Sequence, residues 1–334
     1  MISRKDFLKG ALLGVGATVA AAGAIKAASG DLSYLTEPLD GNPNVYPKFN
    51  EEIKVMLLGT GSPTSGIKRS KPANAIMAAD RFFIVDCGAG IVERLFMAGI
   101  PPSRITDLFI THHHSDHTSG FTDLFLSGWL GGQEPGRVSP LRVYGPTNTR
   151  LIIEKFMDAM KWDIDIRAEH TGTSAGGAMV EIHERNDGIV YDDAGIRVTA
   201  FTVDHGIVKP AIGYRFEYRG KVIVISGDTL PVESMIRHSE RADVLIHEAY
   251  SREWMDRGLK RFPHMRRTIE SVMNYHSSTL EAAEIARKAK VKHLVFTHLM
   301  PSPSPLWIFE RNWAKGVSDI YNGKITVGRD LMVL

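Results

Sequence analysis

Short runs of β-branched and aliphatic residues recur from Ile53 onwards, and one after another they stop at a turn bearing a polar or ionisable residue. "IKVMLLGTGS" closes at residues 59–62, "RFFIVDCG" at Asp86, "ITDLFITH" at His112 and "IRVTAFTVDH" at His205. "KVIVISGD" then closes at Asp228, "ADVLIHE" at His247 and Glu248, and "KHLVFTH" at His298. Runs of this length and composition read as strands. Helical spacing lies between them, as in "TRLIIEKFMDAM", where Leu151, Ile152, Phe156 and Met160 are predicted to share one face. Ser278 with Glu281 three positions later predicts a capping box ahead of "AAEIARKAK". Strands alternating with helices predict an α/β fold whose sheet edge gathers the strand-end residues into one site.

The first residues read differently. Arg4, Lys5 and Lys9 precede the apolar run 10–25, which is too short and too rich in Gly and Ala for a membrane span of about 20 strongly apolar residues. Residues 1–30 therefore read as an export signal. "SRKDFLKG" is similar to a twin-arginine signal, with Lys5 in the second arginine position. Residues 31–52, rich in Pro, Asn and Asp, read as an extended lead-in, and 53–334 as one domain. The expectation is a periplasmic or secreted protein with no stable membrane association once the signal is gone. Losing Arg4, Lys5, Lys9, Lys26 and Asp6, a net of +3, takes the chain from +2 to −1. A near-neutral body lacks the broad basic field of a general nucleic-acid binder, which argues against nucleic acid as a partner. Cys87 is the one cysteine, so no intramolecular disulfide forms.

"THHHSDHTSG", residues 111–120, concentrates metal-grade ligands in one turn of chain. Read as H-x-H-x-D-H, it lets His112 and His114 point the same way after a strand and turn Asp116 and His117 toward a second cation. Imidazole and carboxylate without thiolate suit zinc, and manganese and iron accept the same donors. His205, Asp228 and His298, each after an apolar run, bring the set to five histidines and two aspartates, enough for two cations with Asp228 between them. His113 alternates away from the set, Asp86 is placed either to orient a ligand histidine or to serve its turn alone, and Cys87 reads as a small buried hydrophobe.

The ordered series "GTGSP", "DCGAG", "THHHSDHTSG", "VDHG", "SGDT", "HEAY", "YHSST" and "FTHL" resembles the metallo-β-lactamase superfamily, in its ribonuclease Z and arylsulfatase-like or phosphodiesterase branch, over roughly residues 53–300. The resemblance implies a four-layer αββα sandwich and two Zn²⁺. It implies that His112, His114 and His205 hold one metal, that Asp116, His117 and His298 hold the other, and that Asp228 bridges them. The family's catalytic pair maps to Glu248 and His276, with His276 as general acid oriented by Glu248. His247 should point to the opposite face. Two cations sharing a water supply hydroxide near neutral pH, so the expected reaction is hydrolysis of a small-molecule ester.

Long ribonuclease Z proteins carry a tRNA-gripping arm between the positions matching His205 and Asp228, and only residues 206–227 separate them here. The expected substrate is therefore a small phosphodiester or aryl sulfate ester. A β-lactam or lactone ring is the second enzyme reading, and a non-catalytic metal-binding protein is the reading from another class. "SREWMDRGLKRFPHMRR", residues 251–267, reads either as a solvated helix and loop or as cations beside Trp254 and Phe262 that grip an anion. "MPSPSPLWIFERNW", residues 300–313, reads as mostly core or lid packing, and "SGWLGGQEPG", residues 127–136, as a mobile loop. A homodimer is compatible with the resemblance.

Overall fold

Apolar side chains on both faces of a strand require cover on both faces, and the strands here receive it. The computed structural model describes residues 52–334 apart from 65, 67, 133 and 305, so the signal and nearly all of the lead-in expected at 1–52 lie outside the described residues. One sheet has the order β14 (Met332–Val333), β1 (Lys54–Gly59), β2 (Ala73–Ala78), β3 (Arg81–Val85), β4 (Ile105–Phe109), β5 (Leu141–Gly145), β6 (Val180–Glu184). The other has the order β13 (Lys324–Val327), β12 (His293–Met300), β11 (Val244–Tyr250), β10 (Lys221–Ile225), β9 (Ile212–Tyr218), β8 (Ile196–Thr202), β7 (Gly188–Asp193).

Successive side chains sort these strands between two cores. In β1, Val55 and Leu57 pack between the sheets, while Met56 and Leu58 face the outer helices. In the inner seam Phe109 stacks on its strand neighbour Tyr144 at 4.7 Å and meets Tyr214 of the facing sheet edge-on at 5.3 Å, contacts worth about 0.5–1.5 kcal/mol each beyond their burial. Outside the first sheet lie α1 (Ile91–Met97), α2 (Ser115–Thr118), α3 (Phe121–Leu130) and α4 (Thr149–His170). The rest of the chain adds α5 (Glu233–His238), α6 (Arg252–Arg261), α7 (Arg266–Met273), α8 (Thr279–Lys288), α9 (Trp307–Trp313) and α10 (Val317–Ile320), with Ala283 of α8 and Trp313 of α9 packed on the outer face of β12. This is the αββα sandwich. Among the described residues no helix is long and apolar enough to cross a membrane.

The cap of α8 forms as the sequence predicts, with the Ser278 side chain accepting from the Glu281 amide and Glu281 accepting from the Ser278 amide. The face of α4 is shifted from expectation. Leu151 is 57% exposed, and the side chains that meet the sheet are Ile153, Phe156, Met157, Met160 and Ile164. The mobile loop expected at 127–136 begins instead as the last turn of α3, with Trp129 fully buried and the Arg137 amide donating back to the Gly128 carbonyl at 2.8 Å. Burial of one large ring outweighs the local glycine content.

Candidate metal centre

The two sheets present their strand ends along one edge, and each contributes half of the candidate site. From the first sheet, the turn after β4 supplies His112 and His114, and the single turn of α2 supplies Asp116 and His117. That turn packs tightly: a Cβ at Gly88 would stand 2.3 Å from the Asp116 carbonyl oxygen, so only glycine allows the approach. From the second sheet come His205 after β8, Asp228 after β10, Glu248 within β11 and His298 within β12.

His298 is aimed by a defect in its strand. The β11–β12 register runs Glu248 to Thr297 and then Ala249 to Leu299, leaving His298 as the extra residue of a bulge with φ +46°. Asp86, at the end of β3, also sits at positive φ, +60°. Non-glycine residues held in the left-handed region cost of order 1–3 kcal/mol, and a surrounding structure that maintains them marks a functional site.

Asp228 Oδ2 lies at the middle of the cluster. It is 3.3 Å from His298 Nε2, 3.4 Å from His117 Nε2, 3.7 Å from His112 Nε2 and 3.8 Å from His205 Nε2. His114 Nδ1 is 3.1 Å from His112 Nε2 and 3.4 Å from His205 Nε2, and Asp116 Oδ2 is 3.2 Å from His298 Nε2. The structure thus gathers all seven residues into two adjacent groups, His112, His114, His205 and Asp228, and Asp116, His117 and His298, with donor atoms within 4.8 Å of one another in each. Donors bound tetrahedrally at about 2.0–2.2 Å stand roughly 3.4 Å apart, which these separations match.

The outer partners fix which nitrogen faces the centre. His117 Nδ1 lies 2.8 Å from Asp86 Oδ2 and His205 Nδ1 lies 2.8 Å from the Tyr275 carbonyl oxygen, so both nitrogens donate outward and leave Nε2 as a lone pair directed inward. Thr111 does the same for His112: its hydroxyl donates to Asp86 Oδ2 at 2.9 Å and can accept from His112 Nδ1 at 3.0 Å. His117 Nε2 and Asp228 Oδ1 are buried with no hydrogen-bond partner, a costly state for a protein interior unless a cation completes the site. The donor set therefore fits divalent metal. Burial and the neighbouring His117 hold His112 well below the usual imidazole range, while for His117 burial is outweighed by Asp228 and Asp86, which raise it well above that range. A metal entering the centre displaces that proton.

His276 stands beside this group, its Nδ1 3.2 Å from Glu248 Oε1 and 4.0 Å from Asp228 Oδ2. Glu248 Oε1 accepts from the backbone amides of Ser277 (2.9 Å) and Thr229 (3.2 Å), so backbone holds the carboxylate, and His276 Nδ1 makes no aligned hydrogen bond to it. His247 is buried outside the cluster with Nδ1 2.6 Å from the Glu248 carbonyl oxygen, and His113 turns away to Thr149 Oγ1 at 2.9 Å. Cys87 is buried, and burial pushes its thiol well up. Sequence reasoning missed Thr111 and Tyr275: one contributes an ordinary hydroxyl, the other only a carbonyl, and neither carries a residue-type signal.

Two expected walls take definite form. The cations of 251–267 lie on α6, a 3-10 turn and the start of α7, where Arg252, Arg257 and Arg266 are paired along their helices with Asp256, Glu253 and Glu270. In 300–313, Trp313 is core, but Trp307 and Phe309 are both exposed, contrary to the expectation of mostly packed aromatics.

Asp86 provides a direct check on how these outer contacts act. An asparagine there tolerates the left-handed backbone, but it turns an amide N–H₂ toward Thr111 or His117 and favours the wrong imidazole tautomer. We expect the Asp86→Asn protein to bind zinc about 10–100-fold more weakly in competition with a chelating dye; undiminished affinity would show that Asp86 does not orient His117.

Comparison with known proteins places these features. Residues 81–299 match the family model described as beta-lactamase superfamily domain. A ribonuclease Z of Mycolicibacterium gilvum (strain PYR-GCK) is 32% identical over 279 residues, covering 84% of this chain and 94% of that protein. One of Mycobacterium sp. (strain KMS) is 33% identical with the same coverages. Among solved structures, the short form of human tRNase Z superposes with a TM-score of 0.61 at 25% identity, over 84% of this chain and 98% of that one. The metallo-β-lactamase fold protein YhfI of Bacillus subtilis superposes with a TM-score of 0.62 at 20% identity, over the same shares. Relatives named ribonuclease Z withdraw support from the expectation that nucleic acid is excluded as a partner.

Proposed function

This chain belongs to the beta-lactamase superfamily, and from that premise we propose that it is a dinuclear metal phosphodiesterase acting on a small ester, held by the seven residues gathered around Asp228. The observation that carries this reading is the meeting at Asp228 Oδ2 of a group of three imidazoles, His112, His114 and His205, with a group of two imidazoles and a carboxylate, His117, His298 and Asp116. His112, His114 and His205 would hold one cation, Asp116, His117 and His298 the second, and Asp228 both. Bound zinc, or manganese or iron on the same donors, would supply an activated water and a Lewis acid for the ester oxygen. The chain's own groups do the rest. Asp86, Thr111 and the Tyr275 carbonyl hold the imidazoles in register, and His276 delivers a proton to the departing oxygen.

Phosphodiesters are favoured over aryl sulfates, lactams and lactones by the ribonuclease Z relatives. RNA is the second reading, on the same ground. Against a large tRNA-gripping arm stands the β9–β10 hairpin, which uses most of residues 206–227. Bis(4-nitrophenyl) phosphate, 4-nitrophenyl sulfate, a chromogenic lactam and a 3′-extended tRNA precursor, assayed in parallel with zinc-loaded protein, rank the readings. We expect kcat/KM for the diester to exceed those for the sulfate and lactam by tenfold or more, about 1.4 kcal/mol in barrier. Faster turnover of the precursor than of the diester would transfer the assignment to RNA. Residues 1–30 support an exported enzyme, for which N-terminal sequencing of protein from the periplasmic fraction should read past residue 25.

A further inference from the structure

Next to the strand end that carries His298, helices α6, α7 and α9 border a cavity of 780 Å³. Met255 and Ile269 are buried at its base, and Phe262, Ile308 and Phe309 line it while remaining 46%, 56% and 44% exposed. Concentrated exposed apolar surface is unfavourable in water and marks a surface that something covers. Its volume falls in the range of small-molecule sites.

Chain connectivity ties this cavity to the metal centre on two sides. Pro301, which lines it, follows His298 by three residues, at most roughly 11 Å of backbone. On the other side α7 carries Ile269 and leads directly into Tyr275, whose carbonyl holds His205, and then into His276. The walls are also braced. Trp254 Nε1 donates to Asn312 Oδ1 at 2.9 Å, linking α6 to α9, and Trp313 Nε1 donates to the Pro301 carbonyl at 2.9 Å. Glu310 on the inner side of α9 is held by Arg329 at 2.7 and 2.8 Å and by the buried Arg69 at 3.4 Å. A helix fixed this firmly presents Ile308 and Phe309 outward as part of a preformed surface. At the rim Arg257 is paired with Glu253, whereas Arg261 makes no ion pair or hydrogen bond among the described residues.

We propose that this cavity seats the aryl group of an anionic ester, with Arg261 meeting the charge; the inference rests on the ester-hydrolase reading above for the direction in which the substrate enters. Flat rings suit a site lined by Trp254, Phe262 and Phe309, and an unpaired guanidinium suits an anion beside a ring. The site therefore selects for the body of the substrate, while the metal centre acts on its ester.

Calorimetry on the zinc-loaded full chain, with 2-naphthyl phosphate and methyl phosphate as probes, tests this. Naphthyl phosphate should bind about tenfold or more tightly than methyl phosphate to the wild type. That advantage should disappear in Ile308→Asp, whereas Arg261→Ala should weaken both probes several-fold, because both carry the charge it meets. Ile308 is exposed, so its variant should keep the wild-type circular dichroism, and Phe309→Ala provides a second, milder probe. Equal affinity for the two probes overturns the proposal. So does tighter binding of dodecyl phosphate than of naphthyl phosphate, which would make the occupant an alkyl chain. A wild-type dimer that Ile308→Asp converts to monomer in sedimentation also overturns it, since the face would then join two copies. Preferential naphthyl binding without hydrolysis of any ester would leave the cavity assignment standing and defeat the hydrolase reading instead.

Discussion

In the Asp228→Ala protein, kcat/KM is expected to fall by on the order of a thousandfold or more, together with loss of bound metal. The reason is the position of one oxygen. Oδ2 of Asp228 has imidazole nitrogens of His298, His117, His112, His205 and His276 within 3.3, 3.4, 3.7, 3.8 and 4.0 Å. Burial alone would push this carboxyl up, yet His298 and His117 outweigh burial and hold it well below the usual carboxylate range, so it stays ionised in the folded protein. Its removal leaves His112, His114 and His205 with no carboxylate among them, and nothing shared with the group of Asp116, His117 and His298. Asp228→Asn keeps the shape but loses the charge, and should fall between wild type and alanine. Metal content by elemental analysis, kcat/KM on bis(4-nitrophenyl) phosphate and far-ultraviolet circular dichroism separate loss of the centre from loss of the fold. A fully metallated, fully active alanine variant would remove Asp228 from the site.

The second large effect is expected at His276. His276→Ala should retain both metals and lose about 10²–10⁴-fold in kcat, the range for removing a positioned proton donor. The geometry supplies the competing outcome. His276 Nδ1 also falls into a group with Asp228 and His298 whose donors lie within 4.8 Å of one another, so a ligand role would appear as loss of metal from the same variant. Metal retention decides between them. Glu248→Gln adds a finer readout: backbone amides of Ser277 and Thr229 anchor the carboxylate oxygen, and an amide oxygen can accept from both, so structure is preserved while the charge facing His276 is removed. If Glu248 acts through His276, kcat falls in that variant while KM and metal content stay at their wild-type values. An unchanged kcat would leave Glu248 a purely structural strand residue.

Much of this was legible in the chain because strands that end in ligand-type residues carry two signals at once, an apolar run and a polar stop. Each quoted run from Ile53 to His298 forms a strand or leads out of one, and the seven metal-grade residues meet. What stayed hidden depends on neighbours that sequence does not reveal. Leu151 and Ile153 are equally apolar, and only the angle at which α4 lies on its sheet exposes one and buries the other. "SGWLGG" reads as loop until Trp129 is seen filling a core position. The bulge at His298 leaves no trace in the string "FTHL", because it is a mismatch between two strands and belongs to neither alone. Arg69 carries no mark in the sequence, and it is buried against Glu310, Thr60 and the Gly328 carbonyl.

The division of the donors between the sheets has a consequence for stability. His112, His114, Asp116 and His117 belong to one half of the sandwich and His205, Asp228 and His298 to the other, so an ion held here acts as a rivet through the seam. Neither half offers the full donor set, so the free energy of holding an ion is added to that of holding the halves together. Stripping the ion with a chelator should therefore lower the midpoint of thermal unfolding.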